Sequence, residues 1–88
     1  GNLIESGISD ETNQVMKNIK AVLNEAGMTF NDVVKTTIFL KSMDDFSIVN
    51  TEYGKNFEKS TPPARETVEV SKLPLNVNVE ISCIAIKK

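Results

Sequence analysis

Histidine is absent from this 88-residue chain, and Cys83 is its only cysteine. The absence of histidine excludes Ser-His and Cys-His nucleophile systems, and with one cysteine it leaves no plausible zinc site. A single cysteine also excludes an internal disulfide, which is typical of a reducing compartment. An enzyme built from this chain therefore has to work with carboxylates, arginine, lysine, hydroxyl groups, backbone groups and water.

Long apolar runs, phosphate-binding loops and a strong charge imbalance are also missing. No apolar run approaches the roughly 18 residues of a membrane span, and the sequence shows neither a leader pattern nor a GxGxxG or P-loop motif. Ten basic and twelve acidic side chains give a net charge of −2, which does not favour binding to a nucleic-acid backbone. We expect one cytoplasmic domain over residues 1–88, without membrane or nucleic-acid partners.

The most regular apolar pattern is helical and follows Ser9 and Asp10, which are good N-cap residues. Its period predicts a helix of about 16 residues. The helix is expected to end at Gly27, where glycine suits a left-handed C-cap. The earlier Leu3-Ile4 pair is interpreted as the end of a strand.

Three later stretches alternate apolar and polar residues as strands do, over residues 33–40, 64–70 and 77–86. In the first stretch one face holds four residues: Val34, Thr36, Ile38 and Leu40. A second helix between the first two strands carries an apolar stripe: Phe46, Val49, Tyr53 and Phe57. The order strand, helix, strand predicts a right-handed crossover and parallel pairing of the first two strands.

The last strand has one apolar face and a second face that begins polar and ends apolar. One face holds Val79, Ile81, Cys83 and Ala85, and the other holds Glu80, Ser82, Ile84 and Ile86. A strand of this kind is normally buried on both faces, and a domain this small often gains stability by oligomerising. Because two helices cover only one face of the sheet, we expect a second subunit to cover the other.

Arg65 is the first candidate site residue because it follows two prolines and lies at the start of a strand. Its guanidinium fork is suited to bind a small carboxylate bidentately. The Leu73-Pro74 turn predicts that the strand of Glu80 lies beside that of Arg65, so that Glu80 can orient a water for attack on a polarised carbon. The pattern leaves two alternatives open: an arginine that is solvated or paired with a neighbouring acid, and a structural ion pair of Arg65 with Glu80 at a subunit interface.

Two further polar residues are weaker candidates for the same site. Thr67 lies two residues after Arg65 and points to the same side of the strand. Asn50 is expected to face away from the apolar stripe of the second helix, where most asparagines are solvated.

Four segments, in order, carry a resemblance to a known family along the length of the chain. They are residues 12–19 (TNQVMKNI), 33–40 (VVKTTIFL), 45–53 (DFSIVNTEY) and 63–70 (PARETVEV), and Leu73-Pro74 with residues 79–81 and 84–85 completes the pattern. This ordered set resembles the reactive-intermediate (imine) deaminase family, also called RidA/YjgF. The resemblance implies an α+β fold of the chorismate-mutase-like type, with two helices packed on one face of the sheet.

The same resemblance implies an assembly and an activity. Similar proteins form homotrimers with a pocket at each subunit interface. They hydrolyse 2-imino acids, which arise from enamines such as 2-aminoacrylate, to 2-oxo acids and ammonia, and they need neither a metal nor a cofactor. By resemblance, Arg65 binds the substrate carboxylate and Glu80 lies near the attacking water. Thr67 occupies a pocket position that is often cysteine, and Asn50 lies at the pocket rim.

One departure from the family concerns the N-terminal side of the chain. Family members have further strands before the position of Gly1, and those strands supply a tyrosine and a Ser-Gly segment to the pocket. We therefore expect either a fragment of a longer protein or an incomplete pocket, with unpaired backbone at a sheet edge. A non-catalytic regulator that binds a small metabolite is the alternative function. RNA cleavage, which has been attributed to relatives, is disfavoured by the acidic balance.

Overall fold

The computed structural model describes residues 2–59 and 62–87, and it describes residues 2–6 through their backbone alone. The helices and strands are, in chain order, α1 (Asn2–Glu25), β1 (Val33–Leu40), α2 (Phe46–Gly54), β2 (Ala64–Glu69) and β3 (Val79–Ala85). The sheet has the order β2-β1-β3, with β1 parallel to β2 and antiparallel to β3. The predicted α+β class, with two helices on one face of the sheet, is confirmed, as is the parallel pairing of the first two strands.

Helix α1 is longer than its apolar period predicts. It begins at Asn2, so Leu3 and Ile4 are helical and the prediction of a strand end there is wrong. Ser9 and Asp10 lie inside the helix because residues 2–8 include no proline that would stop it. Gly7 lowers the stability of the helix by only about 1 kcal/mol relative to alanine.

The end of α1 is as predicted. Gly27 has a left-handed φ of 74°, its N–H donates to the carbonyl of Asn24, and the N–H of Met28 donates to that of Leu23. This pair of bonds is a Schellman motif, which satisfies the last helical carbonyls.

Strand β1 departs from simple alternation at its first residues. A register irregularity between Val33 and Lys35 buries Val33 and leaves Val34 40% exposed. The prediction that Val34 shares the buried face is therefore wrong, because the irregularity shifts the alternation by one residue. From Thr36 onward the alternation holds, and Ile38 is 1% exposed.

The core lies between this face of the sheet and the two helices. Three of the four residues of the predicted stripe are in the core: Val49 and Tyr53 of α2, and Phe57 of the 3₁₀ turn Lys55–Phe57 that follows it. The fourth, Phe46, is half-buried and packs against the core. The rings of Tyr53 and Phe57 have centroids 5.0 Å apart, and Phe30 meets Phe57 edge-on at 5.2 Å. Such aromatic pairs add stability beyond the area they bury.

A carboxylate on α1 fixes that helix to the start of β3. Glu11 accepts hydrogen bonds from the backbone N–H of Asn78 at 2.7 Å and of Val79 at 3.0 Å, and from the Asn78 side-chain amide at 3.0 Å. Bonds to an ionised acceptor are stronger than neutral ones, so Glu11 sets the position of α1 along the sheet.

The sheet face opposite the helices is mixed in character. Across it, Val68, Phe39 and Glu80 are register partners on β2, β1 and β3. Ile84 on the same face is 57% exposed. Lys35 and Glu66 form an exposed ion pair of 3.8 Å there. The predicted second subunit on this face remains a prediction.

Within the described residues, no helix is both long enough and apolar enough to cross a bilayer.

Candidate functional site

Arg65 lies on the helix-covered face of the sheet, at the start of the outer strand β2. Its register partner on β1 is Thr36, whose side chain is buried under the helices. Residues opposite one another on neighbouring strands share a face, so Arg65 points towards α2. There its Nη1 donates a hydrogen bond to Oδ1 of Asn50. Asn50 is half-buried and lies on the side of α2 that meets the start of β2, so the expectation that it faces away from the apolar stripe is wrong.

Two aromatic rings of α2 also contact the Arg65 guanidinium. Its Cζ lies 5.7 Å from the ring centroid of Phe46 and 5.5 Å from that of Tyr53. Phe46, Asn50 and Tyr53 are spaced i, i+4 and i+7, which places them on one side of the helix. Cation–π contacts and the Asn50 bond together hold a long, flexible side chain in one position.

Tyr53 is itself held by a buried hydrogen bond. Its Oη lies 2.6 Å from Oγ1 of Thr36, so the helix is tied to the central strand directly beside Arg65. Burial raises the pKa of the Tyr53 phenol above its ordinary value of 10.0, although the Thr36 bond and the Arg65 charge act in the opposite direction. The phenol stays neutral at physiological pH and presents its ring to the guanidinium.

An open cleft of about 460 Å³ adjoins the guanidinium. Its lining residues are Asn50, Tyr53, Gly54 and Phe57 from the helical side, Pro62 and Pro63 from the approach to β2, and Arg65. The walls are therefore apolar or aromatic apart from one amide and one cation. A few well-placed polar groups in an apolar cleft are typical of a small-molecule site.

Arg65 has no acidic partner among the side chains that the structure describes. The ion pairs there are Lys35 with Glu66 and Lys55 with Glu52. The alternative of a structural ion pair within the chain is thus not supported. A guanidinium has five N–H donors, and one amide oxygen satisfies few of them, so donors remain for a carboxylate ligand.

Thr67 follows Arg65 on the same face, opposite Ile38 of β1. Its Oγ1 is buried and has no hydrogen-bond partner in the described part of the chain. An unpaired buried hydroxyl lowers the stability of the fold. Thr67 does not line the cleft beside Arg65.

Glu80 is the one predicted site residue that the chain does not bring to Arg65. It lies on the open face, opposite Phe39, on the other outer strand of the sheet. The prediction that the strands of Arg65 and Glu80 are neighbours is wrong. The crossover through α2 places β2 on one side of β1, and β3 pairs antiparallel on the other side.

Phe46, Tyr53 and Gly54 were not predicted as site residues. The two aromatic residues fit the apolar stripe of α2 equally well, so the sequence does not separate a core role from a contact with Arg65. Asn50 lies four residues after Phe46 and three before Tyr53, and this spacing indicates that all three share one side of the helix.

Among the side chains of residues 7–59 and 62–87, no three from Cys, Asp or Glu come together as a metal site. Cys83 is half-buried, and burial raises the pKa of its thiol above the ordinary value of 9.0. The thiol is therefore protonated at neutral pH and a poor nucleophile.

The family model described as endoribonuclease L-PSP matches residues 1–87. A RutC family protein of a Synechocystis strain is 50% identical over 82 residues, which cover 93% of this chain and 63% of that protein. The 2-iminobutanoate/2-iminopropanoate deaminase of Salmonella typhimurium is 39% identical over 87 residues, which cover 97% of this chain and 68% of that protein. The crystal structure of E. coli TdcF with bound serine has a TM-score of 0.89 at 32% identity, covering 92% of this chain and 65% of that one.

The chain thus spans between 63% and 68% of the length of these relatives. The similarity extends over nearly all of this chain in sequence and in fold. The chain belongs to the endoribonuclease L-PSP family, which is the RidA/YjgF-like family that its sequence resembles.

Proposed function

We propose that the protein hydrolyses reactive 2-imino acids, such as 2-iminobutanoate, to 2-oxo acids and ammonia without a metal or cofactor. The observation that carries this proposal is the Arg65 guanidinium, which Asn50 and two rings hold at an apolar cleft. A fixed guanidinium that has no acidic partner among the described side chains suits the carboxylate of a small acid. The name of the Salmonella relative states this activity, and the E. coli relative holds serine, which carries such a carboxylate.

In the proposed reaction, Arg65 binds the substrate carboxylate and so fixes the neighbouring imine carbon. The carboxylate of Glu80 accepts a hydrogen bond from a water and takes its proton as the oxygen attacks that carbon. The electron pair of the carbon–nitrogen double bond moves to nitrogen, which takes the proton from Glu80 and gives a carbinolamine with one hydroxyl and one amino group. Glu80 then moves the hydroxyl proton to nitrogen as the carbon–nitrogen bond breaks and the carbon–oxygen double bond forms, so that ammonia leaves and Glu80 is again a carboxylate. The products are one 2-oxo acid and one ammonia for each imine and water consumed.

The proposal requires Glu80 from a neighbouring copy of the chain. Arg65 and Glu80 of one chain lie on opposite faces of the sheet, on its two outer strands. We therefore propose a homotrimer with a site at each interface. The exposure of Val68 and Ile84 on the open face supports this assembly, because a partner would remove their side chains from water.

Replacing Arg65 tests the proposal directly. A charge-assisted contact contributes about 1.5–3 kcal/mol, so Arg65→Ala should lower kcat/KM for 2-iminobutanoate by about tenfold to a hundredfold. Arg65→Lys should recover little, because an ammonium lacks the planar fork. Lys72→Ala, which removes an exposed cation elsewhere, is the matched control and should leave the rate unchanged. Unchanged turnover in Arg65→Ala would refute the proposal.

A small-metabolite binder without catalysis is the second candidate. It is favoured by one specific observation: a single chain contains the clamp at Arg65 but has Glu80 on the far face of the sheet. Titration with 2-oxobutanoate separates the two functions. Saturable binding by a protein that shows no deaminase activity would favour the binder.

A further inference from the structure

We propose that Gly54 sets the size of the substrate side chain, and that the cleft prefers 2-imino acids with apolar side chains longer than ethyl over 2-iminobutanoate. This inference rests on the proposed imine hydrolysis and adds the class of side chain that the site accepts. The imine that corresponds to leucine is a member of this class.

The backbone at Gly54 does not require glycine. Its φ of −62° and ψ of −28° are right-handed helical values that any L-residue adopts. An added Cβ at this position would meet no heavy atom within 4 Å. Glycine is among the least favourable residues in a helix, so neither the local conformation nor the packing accounts for its presence at the end of α2.

Gly54 instead forms part of the cleft wall. It lies four residues after Asn50 and three before Phe57, on one side of the helical segment, and it lines the cleft together with these two residues and Tyr53. A side chain at position 54 would therefore extend from the same wall as these neighbours. The absence of a side chain widens the cleft beside the aromatic residues.

The chemistry of the cleft indicates what fills this space. Arg65 supplies the cation for a carboxylate, and Tyr53, Phe57, Pro62 and Pro63 supply apolar surface. The volume of about 460 Å³ falls within the range of sites for ligands much larger than a four-carbon acid. Each further methylene that leaves water on binding tightens the affinity by about fourfold, so longer apolar side chains are favoured.

The test compares two 2-oxo acids, the products of the proposed reaction, as ligands of the intact protein. Calorimetry would measure the dissociation constants of 2-oxobutanoate and of 4-methyl-2-oxopentanoate for the unsubstituted protein and for Gly54→Ala and Gly54→Leu. Gly7→Leu is the matched control, because Gly7 is also an exposed helical glycine with no heavy atom within 4 Å of an added Cβ, and it does not line the cleft. Circular dichroism would verify that each variant is folded.

The unsubstituted protein and Gly7→Leu should bind the larger acid more tightly than the smaller one. Gly54→Leu should weaken the larger acid by about tenfold more than the smaller one, with Gly54→Ala between them. Equal weakening of both acids, or a preference of the unsubstituted protein for the smaller acid, would overturn the inference and leave the proposed function intact. Failure of the unsubstituted protein to bind either acid would overturn both.

Discussion

Arg65 and Glu80 lie on opposite faces of the same three-stranded sheet, with β1 between their strands. No change of side-chain rotamer brings the two groups together within one chain. The proposed carboxylate-binding group, Arg65, and the proposed water-orienting group, Glu80, therefore meet only if copies of the chain share a site. The proposed catalysis therefore depends on the assembly of several copies of the chain.

Coexpression of two variants that should each have strongly lowered activity tests the shared site. Arg65→Ala chains retain Glu80, and Glu80→Gln chains retain Arg65. In a cyclic trimer assembled from equal amounts of both, about one quarter of the interfaces would combine an intact Arg65 with an intact Glu80. Steady-state deaminase assays should recover that fraction of the activity, and native mass spectrometry should report three chains. A site confined to one chain would give no recovery.

The hydrogen bond between Tyr53 and Thr36 should contribute to the free energy of unfolding. Tyr53→Phe leaves the Thr36 hydroxyl buried without a partner and should lower the free energy of unfolding by about 1–3 kcal/mol. Thr36→Val should lower the free energy of unfolding by a similar amount. The double variant should lower it by less than the sum of the losses in the two single variants. Urea denaturation measures all four proteins. Strict additivity would show that the bond contributes nothing.

The stability of the fold should fall at low pH through Glu52. Its hydrogen bond from Lys55, at 3.0 Å, lowers the pKa of the Glu52 carboxyl from the ordinary value of 4.5, although burial opposes this. The folded-state pKa is thus below the unfolded one, so the stability from the ionised carboxylate is fully present above pH 4.5 and is lost as the pH falls through the folded-state value.

Urea denaturation at a series of pH values from neutral to strongly acidic checks this expectation. Glu52→Gln should show a smaller loss of unfolding free energy on acidification than the unsubstituted protein. Glu58→Gln, which changes an exposed carboxyl of the same region, should behave as the unsubstituted protein does. An identical pH profile for Glu52→Gln would contradict the assignment.

Glu11 should be a strong determinant of stability although it lies near the surface. Glu11→Ala removes the acceptor for two backbone N–H groups at the start of β3, and we expect a loss of about 1.5–3 kcal/mol in the free energy of unfolding. Glu11→Gln keeps an oxygen but loses the charge, so its loss should be smaller. Glu25→Ala, at the exposed end of the same helix, should stay within about 0.5 kcal/mol of the original protein.

The sequence predicts those features that depend on neighbouring residues. The stripe of α2, the two faces of β3 and the left-handed Gly27 follow from local periodicity or local conformation, and all three are confirmed. The shift at Val33 and Val34 could not be predicted, because two adjacent valines fit either face equally well.

Within the candidate site, the sequence singled out Arg65 and Asn50 but not the bond between them. Their contact depends on how the crossover places α2 over β2, which is a tertiary relationship. For the same reason the separation of Glu80 from Arg65 was missed, because nothing local to the Leu73-Pro74 turn reveals that β1 lies between the two strands.

The central position of β1 has a consequence for biosynthesis. Its antiparallel pairing joins residues from distant parts of the chain, such as Val33 with Ala85. Contacts between such distant residues form slowly, whereas the β1–α2–β2 unit can form from a shorter stretch. On the ribosome, the central strand of the nascent chain therefore has one open edge until β3 has been translated. The three-stranded sheet should be completed only when β3 pairs with β1, and a chain that lacks β3 should be retained by chaperones.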